Sequence, residues 1–130
     1  MATNDTLATA LSMILNAQGA GSSICRVKPV SKITLAALGI MKEHLYIGDF
    51  QAIDDGKGGV IEVHLTGAIN NCGVVKPRFS ITKDEFDKFE KRFLPAKGFG
   101  VMILTTPQVI MTQNQAREKD TGGKLLAYVY

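Results

Sequence analysis

The chain is poor in the residues that build metal centres and covalent active sites. Its 130 residues contain two cysteines, Cys25 and Cys72, and two histidines, His44 and His64. Neither cysteine sits in a CxxC pattern, which excludes the common zinc and redox arrangements and fits reduced thiols in a cytosolic (cytoplasmic) compartment. The histidines lie on different stretches with no acid or cysteine at ligand spacing, so no metal site is expected. Cys72 and His64 could be paired as nucleophile and base, but nothing in the sequence places an oxyanion hole beside them, and no enzyme is expected. No apolar run approaches the roughly 20 residues that span a bilayer. The first residues lack a basic region and carry Asp5, so no secretory signal peptide is expected. Internal repeats and low-complexity tracts are absent. Charge of one sign is scarce too: 15 Lys and Arg against 12 Asp and Glu leave a formal +3, which permits a nucleic-acid partner without demanding one.

What is present describes a soluble globular protein, with 45% hydrophobic and 21% charged residues. Its length fits one domain, or two small ones that would each be marginal alone. The chain divides near Thr66 to Val75. Before that stretch, Leu7, Leu11 and Ile14 share a helical face, and Asn16, Gly19 and Gly21 end the helix. Ile24 to Pro29 reads as a strand, and Ser31 caps a second helix with Ile33, Ala37, Ile40 and Met41 on its buried side. Tyr46 to Ile53 and Val60 to Leu65 read as strands joined by the turn Asp54-Asp55-Gly56-Lys57-Gly58-Gly59, giving the order α-β-α-β-β. The glycines of that turn could cradle a phosphate, but no helix follows, so a hairpin is the better account.

Thr66 to Gly73 is polar and suits a crossing segment, followed by an extended lead-in, Lys76-Pro77-Arg78-Phe79. Thr82 and Glu85 stand at capping-box spacing before a helix carrying Phe86, Phe89 and Phe93. These rings could stack bases, though at helical spacing they read better as core. Lys88, Lys91 and Arg92 could meet phosphates, while the interleaved acids Asp84, Asp87 and Glu90 equally describe a solvated face. The chain closes on a turn at Thr121-Gly122-Gly123 and a strand from Lys124 to Tyr130.

The most informative stretch is Gly100 to Arg117. The run Val101-Met102-Ile103-Leu104 reads as a buried strand ending in two hydroxyls, Thr105 and Thr106. A short connection leads to Thr112, which with Gln115 has capping-box spacing, so a helix is expected from Thr112 to about Lys119. Hydroxyls beside a fresh helix N-terminus make a phosphate or base-edge reader. The plainer alternative is a strand, turn and helix with polar turn residues.

Read end to end, the residues resemble a family. Asp5-Thr6-Leu7-Ala8, Asn16-Ala17, Lys28-Pro29-Val30-Ser31-Lys32, Tyr46-Ile47-Gly48-Asp49-Phe50, Thr66-Gly67, Asn70, Cys72-Gly73 and Lys76-Pro77-Arg78-Phe79 follow in the order of the universal small-subunit ribosomal protein numbered eight in the bacterial scheme. Phe93-Leu94-Pro95-Ala96 and Gly122-Gly123-Lys124-Leu125-Leu126-Ala127-Tyr128 are most similar to its archaeal and eukaryotic branch. The resemblance implies an α+β fold of two small packed α/β domains: an N-terminal α-β-α-β-β domain over 1–68, and a mostly-strand C-terminal domain with short helices over 69–130. It also implies a structural constituent of the small ribosomal subunit. Such a protein binds a helix with an irregular internal loop in the central domain of small-subunit rRNA and supports its assembly. Its partners would be that rRNA and neighbouring small-subunit proteins, with no membrane, small-molecule substrate or cofactor.

The implied RNA-binding residues are Thr105, Thr106, Gln108, Thr112 and Arg117 in the second domain, with Lys76, Arg78 and Lys124 against phosphates and Lys28 and Lys32 from the first. Lys97 and Lys119 would assist. A distorted RNA helix is recognised by shape, 2′-hydroxyls and exposed base edges, for which short hydroxyl side chains suit. This chain departs from the family pattern Ser/Thr-Thr-Ser-x-Gly: Pro107 replaces the second hydroxyl and Val109 the glycine, so the loop is expected to be reshaped. Basic residues are also thinner at Gln18 to Ser23, Ala68 and Asn71. A subunit protein held mainly by protein neighbours, with reduced direct RNA contact, is therefore the alternative, and an enzyme using a reactive Cys72 is a distant third. Stability is expected to rest on the contact between the halves, with Leu65, Ile69, Val74 and Val75 buried around the crossing.

Overall fold

The computed structural model describes residues 6–28, 30–54, 56, 58–75, 80–82, 84–95, 99–107 and 109–130. The expected lead-in Lys76 to Phe79, and with it Lys76 and Arg78, lies outside them, as do Lys97 and Gln108. The fold is α+β, with two antiparallel sheets. The chain divides into two compact units, Met1–Ile69 and Asn70–Tyr130.

The first unit has the order α-β-α-β-β read from the sequence: α1 (Thr6–Gly19), β1 (Ile24–Val27), α2 (Lys32–Glu43), β2 (Ile47–Ile53) and β3 (Val60–Leu65). The apolar spacing of α1 buries Leu7, Ala10, Leu11 and Ile14. Ser31 caps α2, its hydroxyl accepting from the Thr34 amide at 3.2 Å. The strands order as β1-β3-β2, and central β3 aligns Val63 with Cys25 and Ile61 with Val27. The β2–β3 turn forms as expected, with Asp54 Oδ1 accepting from the Gly56 amide at 2.9 Å and Gly56 in the left-handed region. Past β3, the Gln18 amide takes both backbone groups of Ile69: Nε2 donates to its carbonyl at 2.5 Å and Oε1 accepts from its N–H at 3.2 Å. That two-point bond ties the segment after the sheet to α1.

Leu45 closes α2 at φ 66° while 78% exposed. Its N–H donates to Lys42 and that of Tyr46 to Met41, a left-handed helix stop at which glycine is the usual residue. Relief of the Cβ strain exceeds the entropy lost by adding a glycine, so Leu45→Gly should stabilise the protein by roughly 0.5–1 kcal/mol, read as a raised urea midpoint with an unchanged m-value.

The second unit contains β4 (Cys72–Val74), β5 (Ser80–Ile81), α3 (Phe86–Phe93), β6 (Val101–Thr105), β7 (Ile110–Thr112), α4 (Gln113–Glu118) and β8 (Gly123–Val129). Its sheet runs β4-β8-β6-β7, with β5 also against β8. The two central strands are continuous apolar runs, and Val101 to Leu104 and Leu125 to Ala127 are all buried. Phe86, Phe89, Leu94, Met102, Leu104, Met111, Ala116 and Leu125 form one core cluster, so the phenylalanine stripe is chiefly core. Phe93 is only partly buried and joins Phe89, Tyr128 and Tyr130 in a run of stacked rings.

Three expectations are corrected here. β4 occupies part of the expected crossing segment, and β5 and β7 are added strands; at two or three residues, none is long enough to show an alternation. Thr82 and Glu85 make half a capping box: the Glu85 carboxylate accepts from the Thr82 amide at 3.0 Å and its hydroxyl at 3.1 Å, but α3 starts only at Phe86. Those bonds, the backbone one foremost, hold the Glu85 carboxyl below its ordinary value. Of the four residues flanking the crossing, Ile69 and Val75 are buried, whereas Leu65 and Val74, at strand ends, are half-buried.

Candidate nucleic-acid interface

The stretch expected to read a ligand is a hairpin. β6 and β7 pair Ile103 with Thr112, Leu104 with Met111 and Thr105 with Ile110. Thr106 closes the turn, its N–H donating to the Val109 carbonyl at 3.3 Å. The Thr106 hydroxyl donates to the same carbonyl at 2.7 Å and accepts from the Val109 N–H at 3.1 Å. Its proton is therefore committed to the turn, and toward a ligand it can only accept. Thr105, half-buried at the end of β6, has no side-chain hydrogen bond among the described residues. Its hydroxyl keeps both donor and acceptor capacity. Val109, in the place of the family's glycine, does not take positive φ; among the described non-glycine residues only Leu45 and Asp120 do. Pro107 sits exposed at the tip, where a missing N–H costs nothing.

The helix after the hairpin differs from expectation. The capping box is present: the Thr112 hydroxyl accepts from the Gln115 N–H at 3.2 Å, and Gln115 Oε1 accepts from the Thr112 N–H at 3.0 Å. However, Thr112 is 2% and Gln113 1% exposed, so this helix start faces the core and is no open anion seat. Thr112 holds the helix and does not present its hydroxyl to solvent.

Arg117 is likewise directed inward. Its Nη2 donates to Asp87 at 2.8 Å and to the Glu90 carboxylate, its Nη1 to Asn114 at 3.2 Å, and its guanidinium lies 5.4 Å from the Phe86 ring centre. Glu90 is 3% exposed, so the solvated-face reading does not hold for it: it shares the buried side of α3 with Phe86, and Arg117 from α4 neutralises it. Of the cations of α3, Lys88 and Arg92 are exposed and lie over the Phe89 and Phe93 rings at 5.7 and 5.3 Å.

Lys124 is exposed and stands opposite Thr105 in the β6–β8 register. Before it, Gly122 and Gly123 admit a close backbone approach: a Cβ would lie 2.3 Å from the Ile81 carbonyl at Gly122 and 2.4 Å from the Thr105 carbonyl at Gly123. Beside this close approach lies an open cleft of about 380 Å³ lined by Ser80, Ile81, Thr105, Thr106, Pro107, Gly122, Gly123 and Lys124. The structure thus brings Thr105, Thr106 and Lys124 together, withdraws Thr112 and Arg117, and adds Ser80 and the glycine floor. The glycine pair had been read only as a turn, because its close approach to two other strands leaves no local mark. In the first unit, Lys28 and Lys32 are exposed on the stretch between β1 and the first turn of α2.

The thiols offer no nucleophile. Cys72 is buried, and burial pushes its thiol up to about 11, so it stays protonated at neutral pH; burial raises Cys25 as well. Among the described residues no cluster of three or more His, Cys, Asp or Glu side chains could hold a metal ion. No described helix is long and apolar enough to cross a membrane.

Residues 5–130 match the family model described as ribosomal protein S8. The small ribosomal subunit protein uS8 of Methanococcoides burtonii is 51% identical over 126 residues, covering 97% of this chain and 97% of that protein.

Proposed function

This chain belongs to the ribosomal protein S8 family, and from that premise we propose that it is a structural constituent of the small ribosomal subunit in the cytoplasm. There it binds a helix with an irregular internal loop in the central domain of small-subunit rRNA and supports that domain's assembly beside neighbouring subunit proteins. No catalytic role is proposed.

The observation that carries this reading is the cleft at the end of the β6–β7 hairpin. A hydroxyl with no partner among the described residues, an acceptor-only hydroxyl, an exposed lysine and a floor of bare backbone meet there. A base splayed from an internal loop can pack on Pro107 and the glycines while its edge or 2′-hydroxyl bonds Thr105, and Lys124 meets a phosphate. Lys28 and Lys32 add phosphate contacts from the first unit.

The test is titration of the full chain against its own organism's rRNA hairpin over a range of salt. Tight binding that falls linearly on a log–log plot is expected, and Lys124→Ala should lower the slope by roughly 0.7–0.9. Thr105→Val should weaken binding about fivefold at unchanged slope, the loss of one hydrogen bond. A chain that ignores the hairpin at low salt would instead be one held mainly by protein neighbours. The inward commitment of Thr112 and Arg117 favours that second reading, because it removes two of the expected contacts.

A further inference from the structure

Polar burial in the second unit is concentrated on one small element. Of the four buried polar side chains among the described residues, Thr34 belongs to α2; the other three, Glu90, Thr112 and Gln113, all hold α4. Glu90 does so through Arg117, Thr112 through the capping box, and Gln113 through its own side chain. Burying polar groups is costly unless each is satisfied, and apolar residues would pack a six-residue helix as well. Where this arrangement differs from plain packing is in register.

The β6–β7 ladder ends at Ile103 and Thr112. One rung further, Met102 should find a backbone acceptor on β7, but there the chain has already turned into α4. Gln113 Oε1 takes that place, accepting from the Met102 N–H at 2.8 Å with both residues buried. β7 has three residues, Met111 and Thr112 are buried and Ile110 half-buried, so its side-chain pattern specifies register weakly. A slip of one residue would turn every β7 side chain to the opposite face and rebuild the turn that Thr106 closes beside Thr105.

We infer that Gln113 is a positioning residue for the RNA-reading loop, extending the β6–β7 ladder by a side-chain rung and so fixing where the Thr106–Val109 turn stands beside Thr105. This rests on the function proposed above. Gln113 itself is buried and touches no RNA.

The experiment uses the ¹⁵N-labelled full chain, Gln113→Met, which keeps length without the acceptor, and Gln113→Glu, which keeps an acceptor oxygen. In the unsubstituted protein the Met102 amide should be protected from hydrogen exchange although it lies beyond the last β7 backbone pair. Exchange there at the rate of an open amide overturns the inference whatever the variants do. In Gln113→Met, well below its melting temperature, Met102 should lose protection, the Thr105, Thr106 and Val109 amide resonances should move, and affinity for the rRNA hairpin should fall about tenfold at unchanged salt slope. Gln113→Glu should restore most of that affinity. Unmoved loop resonances, or moved resonances with unchanged affinity, also overturn it. If the unsubstituted chain does not bind the hairpin, the proposed function fails, and the exchange and resonance readouts still decide whether Gln113 sets the loop.

Discussion

Arg117→Met is expected to lower the stability of the second unit by on the order of 3 kcal/mol, the cost of leaving a buried carboxylate without its partner. Glu90 is 3% exposed and Arg117 33%, so the cost arises mainly at the acid, and partial hydration of the arginine site keeps it near the lower end for such pairs. The same guanidinium bonds Asp87, and Asp87 at 64% side-chain exposure adds little. Urea unfolding should show a clearly lowered midpoint, and Arg117→Met/Glu90→Gln should recover much of the loss, since the stranded charge is gone. A single variant as stable as the parent would mean that Glu90 is solvated in the absence of Arg117. The measurement also separates two roles for this arginine. A phosphate contact would give a lowered salt slope in RNA titrations with little change in stability; an internal ion pair gives the reverse. The bonds to Asp87, Glu90 and Asn114 predict the reverse.

Gly123→Ala should add a strongly damaging methyl group to the candidate interface. Its Cβ would lie 2.4 Å from the Thr105 carbonyl oxygen and 3.1 Å from the Thr105 carbonyl carbon, and neither atom belongs to a flexible side chain. The backbone of β6 or β8 must therefore move, which for overpacking of this kind costs about 1–3 kcal/mol. The displacement falls at the rung that sets Thr105 opposite Lys124. Binding to the rRNA hairpin should accordingly fall by more than the fivefold expected for Thr105→Val, with calorimetry showing a lowered melting temperature. A variant that binds and melts like the parent would show that the two strands are not in contact there. Gly122→Ala meets the Ile81 carbonyl at 2.3 Å and should act in the same direction through β5.

Much of the fold was legible in the residues. The spacing of Leu7, Leu11 and Ile14, the Ser31 cap, the turn after Asp54 and the apolar runs of β6 and β8 each depend on neighbours a few positions away, and each element formed. The Thr112–Gln115 capping box is of the same kind, a bond between residues three apart. The short strands β4, β5 and β7 were not legible, because a strand of two or three residues exists only by virtue of the strand beside it. The candidate interface divides the same way. Thr105 and Thr106 stand out in line as hydroxyls at a strand end, and Lys124 follows from the family resemblance. Glu90, Gln113 and the glycine floor were missed.

By itself, then, the sequence determined the longer elements and their order and, through motifs in order along the whole chain, the family and with it the α+β class. Those depend on local periodicity, capping and backbone freedom, which travel with the residues. Only the tertiary structure decided which polar side chains are available to a partner. Arg117 is spent on an acid 27 positions away, and Gln113 on an amide 11 positions away. A polar group's availability is set by what folding brings against it: once buried, it must be paired, and its partner is chosen by packing and not by spacing.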